Sequence, residues 1–372
     1  MEKHLHIIAL NIPYPPNYGG VIDIYYKLEA LSRMGVKITL HCFEYDRRPA
    51  PCLDDLCEKV FYYRRRTGLM SNFSLLPYNV FSRKSPALMQ NLLSDDYPIL
   101  FEGLHSCYYL TDPRLSGRVR IYRAGNIEHD YYRLLARSCR RPLTRAFLSL
   151  EAWRFRRYER VIASADVILA ISLADEAYFR SRFPGRRVCF MPAFHAAGEV
   201  TARTGGSGFA LYHGKLSVFE NERVALFLIR KVFRHLGAPC VLAGMDPSER
   251  ILSAAAPYPD ITIVANPSDD EMNRLVREAQ VHLLVTFQDT GLKLKLLNSL
   301  FSGRHVVVNR LMLAGSGLDA LCHVADTPEE MIGVCRLLLS RPFTESDIDH
   351  RRTLLLPFYT SSHQAALLLE MI

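Results

Sequence analysis

Two stretches place a glutamate and a histidine close together at the end of an apolar run. Glu102-Gly103-Leu104-His105 follows residues 98–101, and Glu128-His129 follows residues 118–122. A carboxylate that orients an imidazole raises its basicity, which is what general-base chemistry on a hydroxyl requires. The alternative is that each histidine only caps or packs a helix start. A third stretch, Gln288-Asp289-Thr290-Gly291, is a polar turn opening a helix at Leu292. Backbone N–H groups from Asp289 to Leu292 are there free to meet an anion such as a diphosphate. Gly214-Lys215 follows the apolar run 209–213, so the Lys215 ammonium stands at a strand end, where it meets the same diphosphate or makes a surface ion pair. Lys293 and Lys295 add charge behind the loop; they cannot both share the face of Leu292 and Leu296, so one is expected toward the diphosphate and the other toward solvent. Gly19-Gly20, after a proline-rich turn, brings backbone close to a ligand or forms a plain tight turn. It is not the GxGxxG fingerprint.

These residues need strand ends to hold them, and the apolar patterning supplies strands. Runs at 4–10, 36–42, 60–63, 98–101, 118–122, 167–171 and 188–191 read as buried strands, and so do 209–213, 239–243, 261–264, 281–285 and 306–308. Helical spacing falls between them, for example over 22–31, 131–150, 152–163, 224–236 and 292–300, with interrupted helix over 69–93. Alternating β and α units of this kind build parallel sheets. The fold class is therefore α/β, with two parallel-sheet domains. The small, polar stretch 196–208 has no periodicity and is the expected linker. It divides a first domain, 1–195, from a second, 209–350. A closing segment, 351–372, is helical around Pro357 and could pack back on the first domain.

At 372 residues the chain exceeds what one core usually serves. Its nine cysteines are scattered and read as reduced thiols in a cytoplasmic protein. There is no stretch of eighteen uncharged apolar residues, and the N-terminus enters a strand directly, so neither a spanning helix nor a signal peptide is expected. The net charge of +8 is concentrated: between Arg118 and Arg160 there are twelve arginines against four acidic residues, with Trp153, Phe155 and Tyr158 interleaved. This pattern fits a solvated basic face or peripheral contact with an anionic membrane, at its inner surface. No nucleic-acid motif accompanies it, so nucleic acid is not an expected partner.

The chain resembles the retaining glycosyltransferases of the GT-B fold, in the large group called family four or glycosyl transferases group one. The resemblance rests on the Gly-Gly turn, on Asn126-Ile127-Glu128-His129 after a central strand, on Tyr212-His213-Gly214-Lys215-Leu216-Ser217, and on residues 281–309 in the place of that family's donor-binding helix. It implies the GT-B form of the α/β class, two Rossmann-like parallel-sheet domains facing a cleft, of which the second holds a nucleoside-diphosphate sugar as donor substrate, with no separate cofactor and no metal. It also implies a first domain that binds a glycan or lipid-linked glycan acceptor, contacted by Gly19, Gly20, Glu102, Arg123, Asn126 and Glu128. Aligned on the family, Asn298 and Thr290 stand where two donor-binding carboxylates belong, and Gly125 stands where a histidine belongs. His105 or His129 would then take over that contact. The implied reaction is sugar transfer with retention, with surface polysaccharide or glycolipid synthesis as its setting. The rivals are a catalytically silent nucleotide-sugar binder or partner protein, and an epimerase or phosphorylase of the same fold.

Overall fold

Short runs of branched apolar residues closed by turn formers become thirteen strands among the described residues, which in this computed structural model are 2–68, 74–139, 141–288 and 294–372. The first sheet contains β1 (His4–Ile8), β2 (Lys37–Glu44), β3 (Lys59–Arg64), β4 (Ile99–Glu102), β5 (Arg120–Arg123), β6 (Val167–Ala170) and β7 (Arg187–Phe190) in the spatial order β3-β2-β1-β4-β5-β6-β7. The second contains β8 (Ala210–His213), β9 (Cys240–Gly244), β10 (Ile261–Ala265), β11 (Val281–Leu284), β12 (His305–Val308) and β13 (His323–Val324), ordered β10-β9-β8-β11-β12-β13. Every pairing within both sheets is parallel, as βαβ crossovers require. Both are doubly wound α/β sheets of the Rossmann type. In each, the strand order reverses once, between β1 and β4 and between β8 and β11. Ligands of such sheets bind outside the carboxyl ends of the strands at that switch.

The chain divides into two compact units. The first holds the chain to Ala196 together with Ser361–Ile372, and the second holds the described residues between Ala197 and Thr360. The helix Ser361–Leu369 lies on the helix Gly19–Arg33, and Ser361 fixes its start by donating to the His195 carbonyl at 2.7 Å. Buried apolar residues on both faces of each sheet make the cores: Ile7, Leu40 and Leu100 on one face of the first and Ile8, Phe43 and Phe101 on the other, and Tyr212, Leu242 and Leu283 on one face of the second with Leu211 and Ala243 on the other.

In two stretches proline divides what the spacing would make one helix. Residues 131–150 do not form one helix: Glu128–Ser138 ends, and Pro142–Tyr158 begins with Pro142 at its first position, because the residue before a proline leaves the α region. Arg141 accordingly has φ −82° and ψ 118°. In the region 69–93, whose first five residues lie outside the described ones, the helices are short, Tyr78–Phe81 and Pro86–Leu92, the second with its proline in the first turn. Pro357, by contrast, lies inside the helix Glu345–Tyr359 near its end.

Candidate functional site

The end of β4 and the end of β5 each deliver a charged residue beneath the helix Gly19–Arg33. That helix turns Asp23 and Lys27, one turn apart, toward the sheet. Lys27 donates to Asp23 at 3.0 Å and to Glu102 at 2.5 Å. Arg123 grips Asp23 with Nε at 3.2 Å and Nη2 at 2.9 Å, and it also donates to the Met191 and Pro192 carbonyls. The Phe194 N–H adds a 2.8 Å bond to Asp23. All four residues are at most 5% exposed. Burial would raise the Asp23 carboxyl, but Arg123 and Lys27 hold it well below the usual carboxylate range. Two carboxylates and two cations therefore neutralise one another inside the first unit. Expected as acceptor contacts, Glu102 and Arg123 are instead spent bracing β4, β5 and the segment 191–194. Asp23 and Lys27 had a readable signal, an i,i+4 charge pair set among the buried residues Ile24, Leu28 and Leu31 of one helix.

The expected pairing of each histidine with the glutamate beside it does not occur. Neighbouring residues in a helix turn point about 100° apart, and the partners come from other elements. His105 Nδ1 faces Glu128 Oε1 at 3.6 Å, too long for a hydrogen bond, and the Nδ1 atom has no hydrogen-bond partner among the described residues. Phe155 meets the His105 ring edge-on at 5.1 Å. Burial, with Arg83 and Arg65 nearby, pushes the His105 imidazole down to about 3. Burial also pushes Glu128 up to about 8, against the pull of Arg83. At neutral pH the pair is an uncharged imidazole beside a protonated carboxyl. One accepts and the other donates, which suits a bound hydroxyl. His129 is 2% exposed and turns the other way, with Nδ1 3.4 Å from Glu159 Oε1 and Nε2 3.1 Å from Arg156. The His129 Nδ1 atom, like that of His105, has no hydrogen-bond partner among the described residues, and Glu159 accepts from the Tyr178 hydroxyl at 2.7 Å.

Gly125 and Asn126 lie half-buried in the turn between β5 and the helix Glu128–Ser138. A Cβ on Gly125 would meet no atom within 4 Å, so space does not dictate a glycine there. Gly19 and Gly20 are exposed at the start of their helix.

In the second unit, Gly214 and Lys215 leave the end of β8 at the switch. The close crossing of this loop over β9 demands the glycine at Gly244, where a Cβ would fall 1.7 Å from the Gly214 carbonyl oxygen. Lys215 is exposed, and its ammonium pairs with no carboxylate among the described residues. Asn221 ties this loop to a second cation: its amide donates to the Lys215 carbonyl at 2.9 Å, and its oxygen accepts from Lys295 Nζ at 3.2 Å and from the Tyr212 hydroxyl at 3.2 Å. Lys295 also sits 4.8 Å over the Tyr212 ring. The loop after β11 is clamped from both sides. Glu220 accepts from Phe287 N–H at 2.6 Å and from the Thr286 hydroxyl at 3.1 Å, and Asn309 exchanges two bonds with the Thr286 backbone. Asp289, Thr290, Gly291, Leu292 and Lys293 lie outside the described residues. Asn298 is half-buried on the helix Leu294–Ser302.

Behind this edge, His213 Nε2, the Ser299 hydroxyl and His282 Nδ1 form a buried relay with steps of 3.1 and 3.2 Å. Burial, helped by Lys295, pushes His213 down to about 3, so this relay is neutral and structural in character. The roles of Asn221, Tyr212 and Glu220 were not legible in the sequence, because they depend on which loop each side chain reaches. Among the described residues no group of three histidine, cysteine or acidic side chains is placed to hold a metal ion.

No family model matches the chain. It is similar to an uncharacterized 44.6 kDa protein in the cps region of Klebsiella pneumoniae, with 24% identity over 334 residues and 84% of each chain covered. Among solved structures it resembles sucrose-phosphate synthase from Thermosynechococcus elongatus, with a TM-score of 0.70, 14% identity, and 100% of this chain and 98% of that one covered. HepE from Anabaena, in complex with UDP and glucose, matches with a TM-score of 0.65 at 9% identity over 99% of each chain. The two-domain GT-B architecture is thus shared along the whole length.

Proposed function

We propose that this chain is a glycosyltransferase that moves a sugar from a nucleoside-diphosphate sugar to a hydroxyl acceptor with retention at the anomeric carbon. The observation that carries the reading is the pair of cations joined through Asn221 at the β8–β11 switch of the second unit. A diphosphate bound there meets Lys215 and Lys295, and the charge that grows on the leaving group as the glycosidic bond breaks is stabilised without reorganisation. Asn298 offers its amide to hydroxyls of the donor. HepE, which holds UDP and glucose on the same fold, supports a donor of this class.

The first unit receives the acceptor, a glycan, free or lipid-linked, in the cytoplasm. Its hydroxyl is bound by neutral His105 and by protonated Glu128. The departing diphosphate oxygen accepts the hydroxyl proton, so no charged base is required of the protein. Calorimetry with UDP and GDP, run beside donor hydrolysis and transfer assays over an acceptor panel, tests the proposal. Binding accompanied by turnover is the expected result. Tight binding with no turnover on any acceptor would leave a silent nucleotide-sugar binder, and no binding of either nucleotide would remove the donor site altogether.

A further inference from the structure

The helical hairpin of the first unit, Glu128–Ser138 and Pro142–Tyr158, carries a surface that the transfer reaction does not use. At about 100° per residue the second helix has three sectors. Glu151, Phe155 and Tyr158 face inward and are buried. Arg145 and Arg156, with Arg141 just ahead of the helix, line one flank and are exposed. Leu143, Phe147, Leu150 and Trp153 occupy the remaining arc, exposed by 86%, 39%, 43% and 49%. Four large apolar side chains along one line of a helix are more than scattered surface residues.

The charge on this segment is entirely of one sign. Its two carboxylates are withdrawn into the protein: Glu151 accepts from Arg154 and from the Tyr78 N–H, and Glu159 from Tyr178. Every exposed charged side chain from residue 141 to 160 is an arginine, namely Arg141, Arg145, Arg156, Arg157 and Arg160. Arg157 lies 5.0 Å over the Trp153 ring, which joins the basic and apolar sectors. Next to the C-terminal half of the helix is a cavity of about 930 Å³ whose lining includes Lys84, Arg114, Arg154, Arg157 and Arg160. The one carboxylate in that lining, Asp112, is paired with Arg114 at 2.8 Å.

We propose that this face docks the protein on an anionic lipid bilayer, with the arginines at the headgroup phosphates and Leu143, Phe147, Leu150 and Trp153 in the interfacial layer below them. An apolar arc bordered by arginine is the surface chemistry of a helix lying in the plane of a membrane. The alternatives use only part of it. A soluble polyanion would meet the arginines but leave Leu143 and Phe147 in water. A second copy of the chain would cover the apolar arc, but a two-fold contact would set the same arginines against one another. One further consequence rests on the transfer reading: Phe155, packed on His105, is two turns from Phe147, about 12 Å along the helix. A lipid-linked hydroxyl would therefore be delivered close to the His105–Glu128 pair.

Trp153 is the only tryptophan in the chain, so its fluorescence reports on this face alone. The whole protein is titrated with vesicles of phosphatidylcholine and with vesicles containing equal parts phosphatidylglycerol, and binding is read by flotation and by Trp153 emission. Flotation with the anionic vesicles, a blue shift, quenching by lipids brominated near the headgroup, and release by high salt are expected. Replacing Arg141, Arg145 and Arg156 by glutamine should lower vesicle affinity roughly a hundredfold, at about fivefold per arginine. The Phe147→Ser, Leu150→Ser variant should lose flotation at physiological salt. Both variants change exposed positions, and retained far-UV dichroism confirms their fold. The proposal is overturned if the protein does not float with anionic vesicles at low salt. Equal binding to neutral vesicles, unaltered binding by both variants, or a blue shift that follows protein concentration without lipid would overturn it as well. Flotation reads no chemistry, so its outcome is separate from success or failure of the transfer assay.

Discussion

Replacing Glu128 by glutamine tests the electrostatics of the first-unit site directly. The Glu128 side chain is 5% exposed, and burial carries its carboxyl from the usual 4.5 to about 8. A carboxyl whose pKa rises on folding keeps its proton in the native state where the unfolded chain has lost it. Its contribution is fully present below pH 4.5 and is lost as pH climbs through about 8. At about 1.36 kcal/mol per pH unit, the loss reaches roughly 3 kcal/mol at pH 7 and roughly 5 kcal/mol above pH 8. Glutamine has the shape of the protonated acid and does not titrate. The difference in stability between variant and parent should therefore be small at pH 4.5 and grow in the variant's favour toward pH 8.5. At 2–4 °C per kcal/mol, the melting temperatures should diverge by about 10 °C or more across that range. Calorimetric melts of both proteins in matched buffers from pH 5 to 8.5 make the measurement, since all other titrations cancel in the difference. Parallel curves would refute the claim that Glu128 is held neutral. A variant less stable at pH 8.5 would show an ionised Glu128 making a favourable contact with Arg83.

Lys215→Ala should weaken UDP affinity about tenfold through loss of one charge-assisted contact, and Lys295→Ala should do at least as much because Asn221 and Tyr212 lose their partner; unchanged calorimetric affinity in both would move the donor away from the β8 end. His105→Ala should lower kcat by about 10²-fold or more with little change in Tm, whereas His129→Ala should lower Tm, by stripping a neighbour from buried Glu159, and spare turnover. The reverse pattern in the same two assays would exchange their roles. Asp23→Asn should cost about 3–5 kcal/mol, since Arg123 and Lys27 would remain buried with only Glu102 to balance them; a melting temperature within 2 °C of the parent would show that the network contributes little.

The strands were legible because burial on both faces of a parallel sheet leaves a continuous apolar run, and only β13, two residues long, is too short to leave one. The hairpin was harder to read. Residues 131–150 have helical composition throughout, and the single proline at 142 decides that the chain reverses there. For the site, residue type was a fair guide to where chemistry could occur but a poor guide to which side chains perform it. Arg123 and Lys215 are both cations at the end of a strand. Arg123 spends its N–H groups on Asp23 and two backbone carbonyls, and nothing of it reaches the surface. Lys215 is exposed and meets no carboxylate among the described residues. Both histidines leave Nδ1 without a hydrogen-bond partner among the described residues, His129 3.4 Å from Glu159 and His105 3.6 Å from Glu128, but His129 also meets Arg156 through Nε2 and is 2% exposed, while His105 is half-buried. A buried polar atom without a partner costs stability unless something else supplies one. At half-buried His105 a hydroxyl can reach that unfilled bond, which at enclosed His129 it cannot, and this, more than the presence of a histidine near a glutamate, is the physical reason to expect a hydroxyl there.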